Sequence, residues 1–70
     1  MIDIIEELKK FPQVDNVITG DLYIAIKLKG NTIRYSVLRS IDNILDKYEY
    51  FLYSVSISSY HEQLQILGLR

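Results

Sequence analysis

The chain lacks cysteine altogether, and its 70 residues include one histidine, one proline and three glycines. Without cysteine it can form no disulfide scaffold, no thiolate nucleophile and no zinc knuckle. Gly20, Gly30 and Gly68 stand alone and match neither the dinucleotide-binding nor the Walker spacing. A lone histidine in a predicted turn, such as His61 beside Glu62, is far more often solvated than a metal ligand. These absences predict a protein with no catalytic residues, no metal site and no cofactor.

Long apolar runs are missing as well. The longest stretch without a charge runs from Tyr50 to Tyr60 and contains several serines, whereas a membrane-spanning helix needs about 20 apolar residues. Asp3, Glu6 and Glu7 stand where a signal peptide would carry lysine or arginine. We therefore expect a soluble, cytoplasmic protein that has no membrane partner.

The chain is nevertheless rich in apolar residues, at 49% of the sequence. It is long enough for one small domain over residues 1–70. Domains below about 70–80 residues commonly add disulfides, a metal or a partner subunit, and only the partner subunit is compatible with this composition. We therefore expect a homodimer or higher oligomer, with another protein as a further partner. A compact monomer is the alternative.

The first part of the chain predicts one helix and one short strand. Residues 2–11 place Ile2, Ile5 and Leu8 on one helical face, with acids first and lysines last, as the helix dipole favours. Pro12 ends this helix. Residues 14–18 predict a short strand with a poor pattern, and residues 19–21 predict a turn.

The segment after residue 21 can be interpreted in two ways. Residues 22–29 alternate as a strand with Ile24, Ile26 and Leu28 on one face. Gly30-Asn31 suits a hairpin turn and residues 32–37 also alternate, so we prefer a β-hairpin over 22–37. Ser40 would then cap a shorter helix that ends near Lys47. The competing interpretation is one helix over 32–47, because several apolar residues also fit a helical stripe: Ile33, Val37, Leu38, Ile41, Ile44, Leu45 and Tyr48.

The last part of the chain predicts two strands. Residues 50–58 alternate, and we expect the face with Phe51, Tyr53, Val55 and Ile57 to point into the core. Residues 64–69 predict the final strand. The fold class is therefore α+β, with a small antiparallel sheet of four to five strands and two helices on one face. The element order is α-β-β-β-α-β-β, or α-β-β-α-β-β if residues 32–47 form one helix. The first order resembles, over residues 2–48, that of double-stranded-RNA-binding domains, and no residue roles are carried over from that family.

Charge is segregated along the chain. Residues 1–22 carry five acids and two lysines, residues 23–39 carry four cations and no acid, and residues 40–70 carry four acids and two cations. In the hairpin interpretation Lys27 lies directly opposite Arg34, on the face that also carries Tyr23. Such a surface could bind a phosphate backbone. The nucleic-acid hypothesis names Tyr23, Lys27, Lys29, Arg34 and Arg39. An ordinary solvated strand face is the simpler explanation.

Tyrosines crowd towards the end of the chain. Tyrosine is common at protein interfaces because it offers a large area and a hydroxyl that tolerates water. We predict that the residues left outside the core form a self-association patch: Tyr50, Leu52, Tyr60, Leu67 and Leu69. The first functional hypothesis is therefore a small non-catalytic protein-interaction or regulatory module that self-associates. The alternative is a nucleic-acid-binding protein that uses the basic hairpin.

Overall fold

The computed structural model describes residues 3–58 and 62–70, which form two helices and four strands. In chain order these elements are α1 (Ile4–Lys9), β1 (Val14–Thr19), β2 (Tyr23–Leu28), α2 (Tyr35–Lys47), β3 (Phe51–Ile57) and β4 (Leu64–Leu69). The α+β class is confirmed, in the order α-β-β-α-β-β.

The four strands form one antiparallel sheet in the order β1-β2-β4-β3. β2 and β4 are central, whereas β1 and β3 are the edges. One face of the sheet packs with both helices into a single core, in which Ile24, Ile26 and Ile66 meet Leu8 and other apolar side chains of the helices. Nothing among the described residues covers the opposite face, which we call the open face.

α1 is stabilised by a cap at its first turn and by burial of one side. The Asp3 carboxylate accepts a hydrogen bond from the Glu6 backbone N–H at 3.0 Å and so caps the first turn. Ile4 and Leu8 lie on the same side one turn apart, and both are buried against the sheet. The predicted helix is therefore confirmed over Ile4–Lys9, which is shorter than the predicted range of residues 2–11, and residue 2 lies outside the described residues.

The preferred hairpin over residues 22–37 is wrong. Residues 32–34 have no strand, and α2 begins at Tyr35, so the competing helix interpretation is correct except for its first three residues. β2 already pairs with β1 on one side and β4 on the other, which leaves no side for a third strand. The resemblance in order to double-stranded-RNA-binding domains ends with that missing strand.

The predicted cap at Ser40 is also wrong. The residue before the first turn of α2 is Arg34, and its side chain forms no capping hydrogen bond. Ser40 lies inside the helix, where its hydroxyl donates to the Ser36 carbonyl at 3.0 Å. Burial of Ile41 and Leu45 in the core stabilises the helix instead, as tertiary packing does for most short helices.

A bulge explains the poor pattern of β1. Val14 pairs with Leu28 and Asn16 pairs with Lys27, so Asp15 is an extra residue with no partner in the register. Since one inserted residue reverses the alternation, Val14 and Val17 both face the core although they are three residues apart.

A second bulge corrects the predicted inward face of β3. Leu52 pairs with Gly68 and Ser54 pairs with Leu67, which leaves Tyr53 without a partner in the register. Phe51, Tyr53, Val55 and Ile57 were expected in the core, and all four are exposed. Leu52 packs against the core in their place.

Candidate interaction surface

The open face is built from three rows of side chains that run across the sheet. Residues paired directly across antiparallel strands share a face, so the register defines each row. The first row is Tyr23, Leu69 and Phe51; the second is Ile18, Ala25, Leu67 and Ser54; the third is Asn16, Lys27, Gln65 and Ser56. The first two rows are mainly apolar and the third is polar.

The apolar rows contain several large side chains that contact solvent. Phe51 is 73% exposed, Tyr23 is 41% exposed and Ile18 is 40% exposed. The Tyr23 ring lies over Gly20, where a Cβ atom would overlap it. Contiguous exposed apolar surface of this kind marks interaction sites in small proteins.

β3 exposes further apolar side chains at the edge of the sheet. Tyr53, Val55 and Ile57 are 67%, 40% and 57% exposed. Val55 pairs with Ile66 and Ile57 pairs with Leu64, so both lie on the helix side of the sheet. The strand contains no charged residue and no proline. Among the described residues, no strand pairs with its outer side.

The other edge, β1, differs from β3 in its charge. It carries the charged residue Asp15 at its bulge, and Asp15 and Asn16 are exposed. The Asp15 carboxylate also accepts a hydrogen bond from the Gln63 amide at 3.0 Å. Charges and bulges are the features by which proteins protect edge strands from pairing. β1 therefore has both a charge and a bulge, whereas β3 has a bulge but no charge.

The structure divides the predicted self-association residues among three locations. Tyr50 is only 7% exposed and belongs to the core, which corrects its assignment to the surface, and Arg70 lies 4.4 Å above its ring. Leu52 lies on the helix side and packs against the core. Leu67 and Leu69 are half-buried on the open face. Tyr60 lies outside the described residues.

The predicted basic residues are separated as well. Tyr23 and Lys27 share the open face, as expected. The opposition of Lys27 and Arg34 is wrong, because Lys27 pairs with Asn16 and Gln65. Lys29 follows β2, whereas Arg34 and Arg39 belong to the start and the body of α2. The five residues form no single basic surface.

Sequence reasoning missed the exposed residues that matter most on this surface. Phe51 and Tyr53 were assigned inward because the alternation in β3 looks uninterrupted, and Ile18 was assigned no role. The signal that was present is the complete absence of charge from Tyr50 to Tyr60, since uncharged apolar strands at a sheet edge favour pairing.

A polar cluster joins the two helices. Lys47 Nζ lies 2.7 Å from Glu7 Oε1, and the Tyr48 hydroxyl donates to the other oxygen of Glu7. These hydrogen bonds, from Lys47 first and Tyr48 second, hold the pKa of Glu7 below its usual value. The hydrogen bond to Glu7 raises the pKa of Tyr48 to about 12. The cluster attaches α1 to the end of α2.

Other kinds of site are not found in the described part of the chain. Residues 3–58 and 62–70 form no pocket and contain no group of three or more potential metal ligands. Neither helix there is long and apolar enough to cross a membrane. Comparisons with protein-family models, curated proteins and solved structures found no match to this chain.

Proposed function

We propose that this chain is a small, non-catalytic protein-interaction module that self-associates in the cytoplasm. Its contact surface is β3 together with the adjoining apolar rows of the open face. The observation that carries the proposal is the exposure of Phe51, Tyr53, Val55 and Ile57 on one uncharged edge strand. A strand left in this state is a template for pairing with another chain.

Sedimentation velocity across a range of protein concentrations tests this proposal. We expect a dimer that dissociates on dilution. Ile57→Lys should weaken the dimer at least tenfold, because it places a charge in the apolar contact, and tenfold corresponds to about 1.4 kcal/mol. The substitution is compatible with the fold because Ile57 is 57% exposed.

Tyr35→Lys provides the matched control. Tyr35 is also a large and exposed side chain, at 72%, and it belongs to α2 rather than to the sheet. This variant should associate like the unmodified protein. A protein that stays monomeric at high micromolar concentration would contradict the proposal, and so would equal weakening by both lysines.

Binding of single-stranded nucleic acid is the second candidate. It is supported by the shared open face of Tyr23, Phe51 and Lys27, since exposed aromatic rings beside a cation can stack bases and contact phosphate. The same sedimentation experiment with a mixed single-stranded oligonucleotide distinguishes this function. A salt-sensitive increase in mass that Lys27→Glu abolishes would favour it over self-association.

A further inference from the structure

The second half of β3, which follows its bulge, pairs regularly with β4. From Ser54 to Ile57 the register with β4 proceeds without interruption, so Ser54 and Ser56 lie on the open face and Val55 and Ile57 on the helix side. The Ser58 backbone N–H bonds inward to the Gln63 carbonyl at 2.8 Å. Since backbone groups alternate in direction along a strand, the N–H and C=O groups of Val55 and Ile57 point outward.

We propose that two copies of the chain pair antiparallel through this half of β3, about a two-fold axis at Ser56. This inference rests on the self-association proposed above and specifies its geometry. Each Val55 lies opposite the Ile57 of the other copy, and the two residues exchange backbone hydrogen bonds. Each Ser54 lies opposite a Ser58, and the two copies of Ser56 face each other.

The side chains of β3 are complementary to themselves in this register. The two Val55–Ile57 pairs bring four exposed β-branched side chains together on the helix side, and such pairs stabilise antiparallel strands. Only serines meet on the open face. A charge near a two-fold axis would meet its own copy, and this strand has none.

The position of the axis follows from the length of the regular segment. An axis at Ser56 uses every residue from Ser54 to Ser58. An axis at Val55 would bring Tyr53 opposite Ile57, and Tyr53 is the bulged residue that has no regular partner. Ser56 is therefore the axis that allows the longest uninterrupted pairing.

A second copy explains the difference between the two edges. Pairing of β3 with β3 is symmetric and closes at two copies, whereas pairing of β3 with β1 is head-to-tail and leads to a larger ring or an open filament. The charge and the bulge at Asp15 oppose that second arrangement. The two-fold axis also keeps both open faces on the same side, so their apolar rows belong to one continuous eight-stranded sheet.

The pairing uses only residues 54–58 of each chain, whereas a standard interface takes about 20–30 residues on each side. We therefore expect dissociation in the micromolar range rather than the nanomolar range.

Single-cysteine cross-linking tests the register, because the natural chain contains no cysteine to interfere. The variant Ser56→Cys should form a covalent dimer under mild oxidation, since facing residues at a non-hydrogen-bonded pair are about 4.5 Å apart at Cα, within disulfide range. Ser54→Cys is the matched control on the same strand and face. Its two copies would lie four residues apart along the strand, about 13 Å, and should not cross-link.

A third variant, Asn16→Cys, reports on the β1 edge and should stay unlinked. Non-reducing electrophoresis measures the covalent fraction, and sedimentation of the reduced variants measures association independently. Stronger linking of Ser54→Cys or Asn16→Cys than of Ser56→Cys would overturn the proposed register. If all three reduced variants form dimers but Ser56→Cys does not cross-link on oxidation, pairing about Ser56 is wrong and self-association remains. Monomers throughout would refute both.

Discussion

Gly68 shows, at the scale of single residues, how closely the side chain of Ile24 packs over the neighbouring strand β4. It is buried on the helix side of the sheet between Ile24 and Leu52. A Cβ atom at this position would lie 2.9 Å from Ile24 Cγ2 and 3.5 Å from Leu45 Cδ1. The absence of a side chain here leaves room for Ile24 in the core.

Gly68→Ala should therefore destabilise the protein, because overpacking a close-packed core typically costs about 1–3 kcal/mol. Urea denaturation followed by circular dichroism would measure this loss as a lower transition midpoint. Ser54→Ala, on the opposite face of the same sheet, is the control and should change the midpoint little. An unchanged midpoint for Gly68→Ala would mean that the Ile24 side chain can move to make room for the added methyl group.

Single inserted residues also limited what the sequence could predict. The alternation at Ile24, Ile26 and Leu28 identified a core face correctly, because β2 contains no bulge. In β3 the alternation looks equally clear, but the bulge at Tyr53 places Phe51 on the open face and Val55 on the helix side. A bulge depends on how two strands are paired, so the pattern of one strand alone does not reveal it.

At the scale of elements, α2 shows how tertiary packing decides between two sequence patterns. Residues 32–37 alternate like a strand and also fit a helical stripe. The helix forms because it buries Ile41 and Leu45 against the sheet while β2 is already paired on both sides. That pairing involves β4, which lies about 40 positions further along the chain, so no local pattern contains it. The same tertiary information separates Tyr50, which is in the core, from Leu67 and Leu69, which are on the open face.

The contact between α1 and α2 makes stability depend on pH. The pKa of Glu7 is lowered by its hydrogen bonds with Lys47 and Tyr48, so its ionised form stabilises the fold. This contribution is fully present above the ordinary value of 4.5 and is lost as the pH falls through the lowered pKa.

The variant Glu7→Gln should therefore be less stable than the natural chain at pH 7 and should lose less stability on acidification. Urea denaturation at neutral and acidic pH measures both effects. Glu6→Gln, an exposed acid in the same helix, controls for the loss of one negative charge. An acid response of Glu7→Gln identical to that of the natural chain would show that this contact does not contribute.

At the scale of the whole molecule, the size of the domain and its uncharged edge point to the same conclusion. A chain of 70 residues buries only about 60% of its unfolded surface and is marginally stable alone. Dimerisation through β3 would shield exposed apolar side chains and add stability by mass action, because a partner that binds only the folded chain shifts the unfolding equilibrium.

Thermal unfolding should accordingly depend on protein concentration. Where the dimer predominates, we expect Tm to rise by about 3–5 °C for each tenfold increase in concentration. A tenfold increase favours the dimer by about 1.4 kcal/mol, and half of that applies to each chain. Differential scanning fluorimetry that uses intrinsic tyrosine emission can follow this shift across a hundredfold range. Ile57→Lys should reduce the slope, because its chains unfold largely as monomers, whereas Tyr35→Lys should retain it. A Tm of the natural protein that does not change with concentration would show that the exposed edge contributes nothing to stability through a second copy.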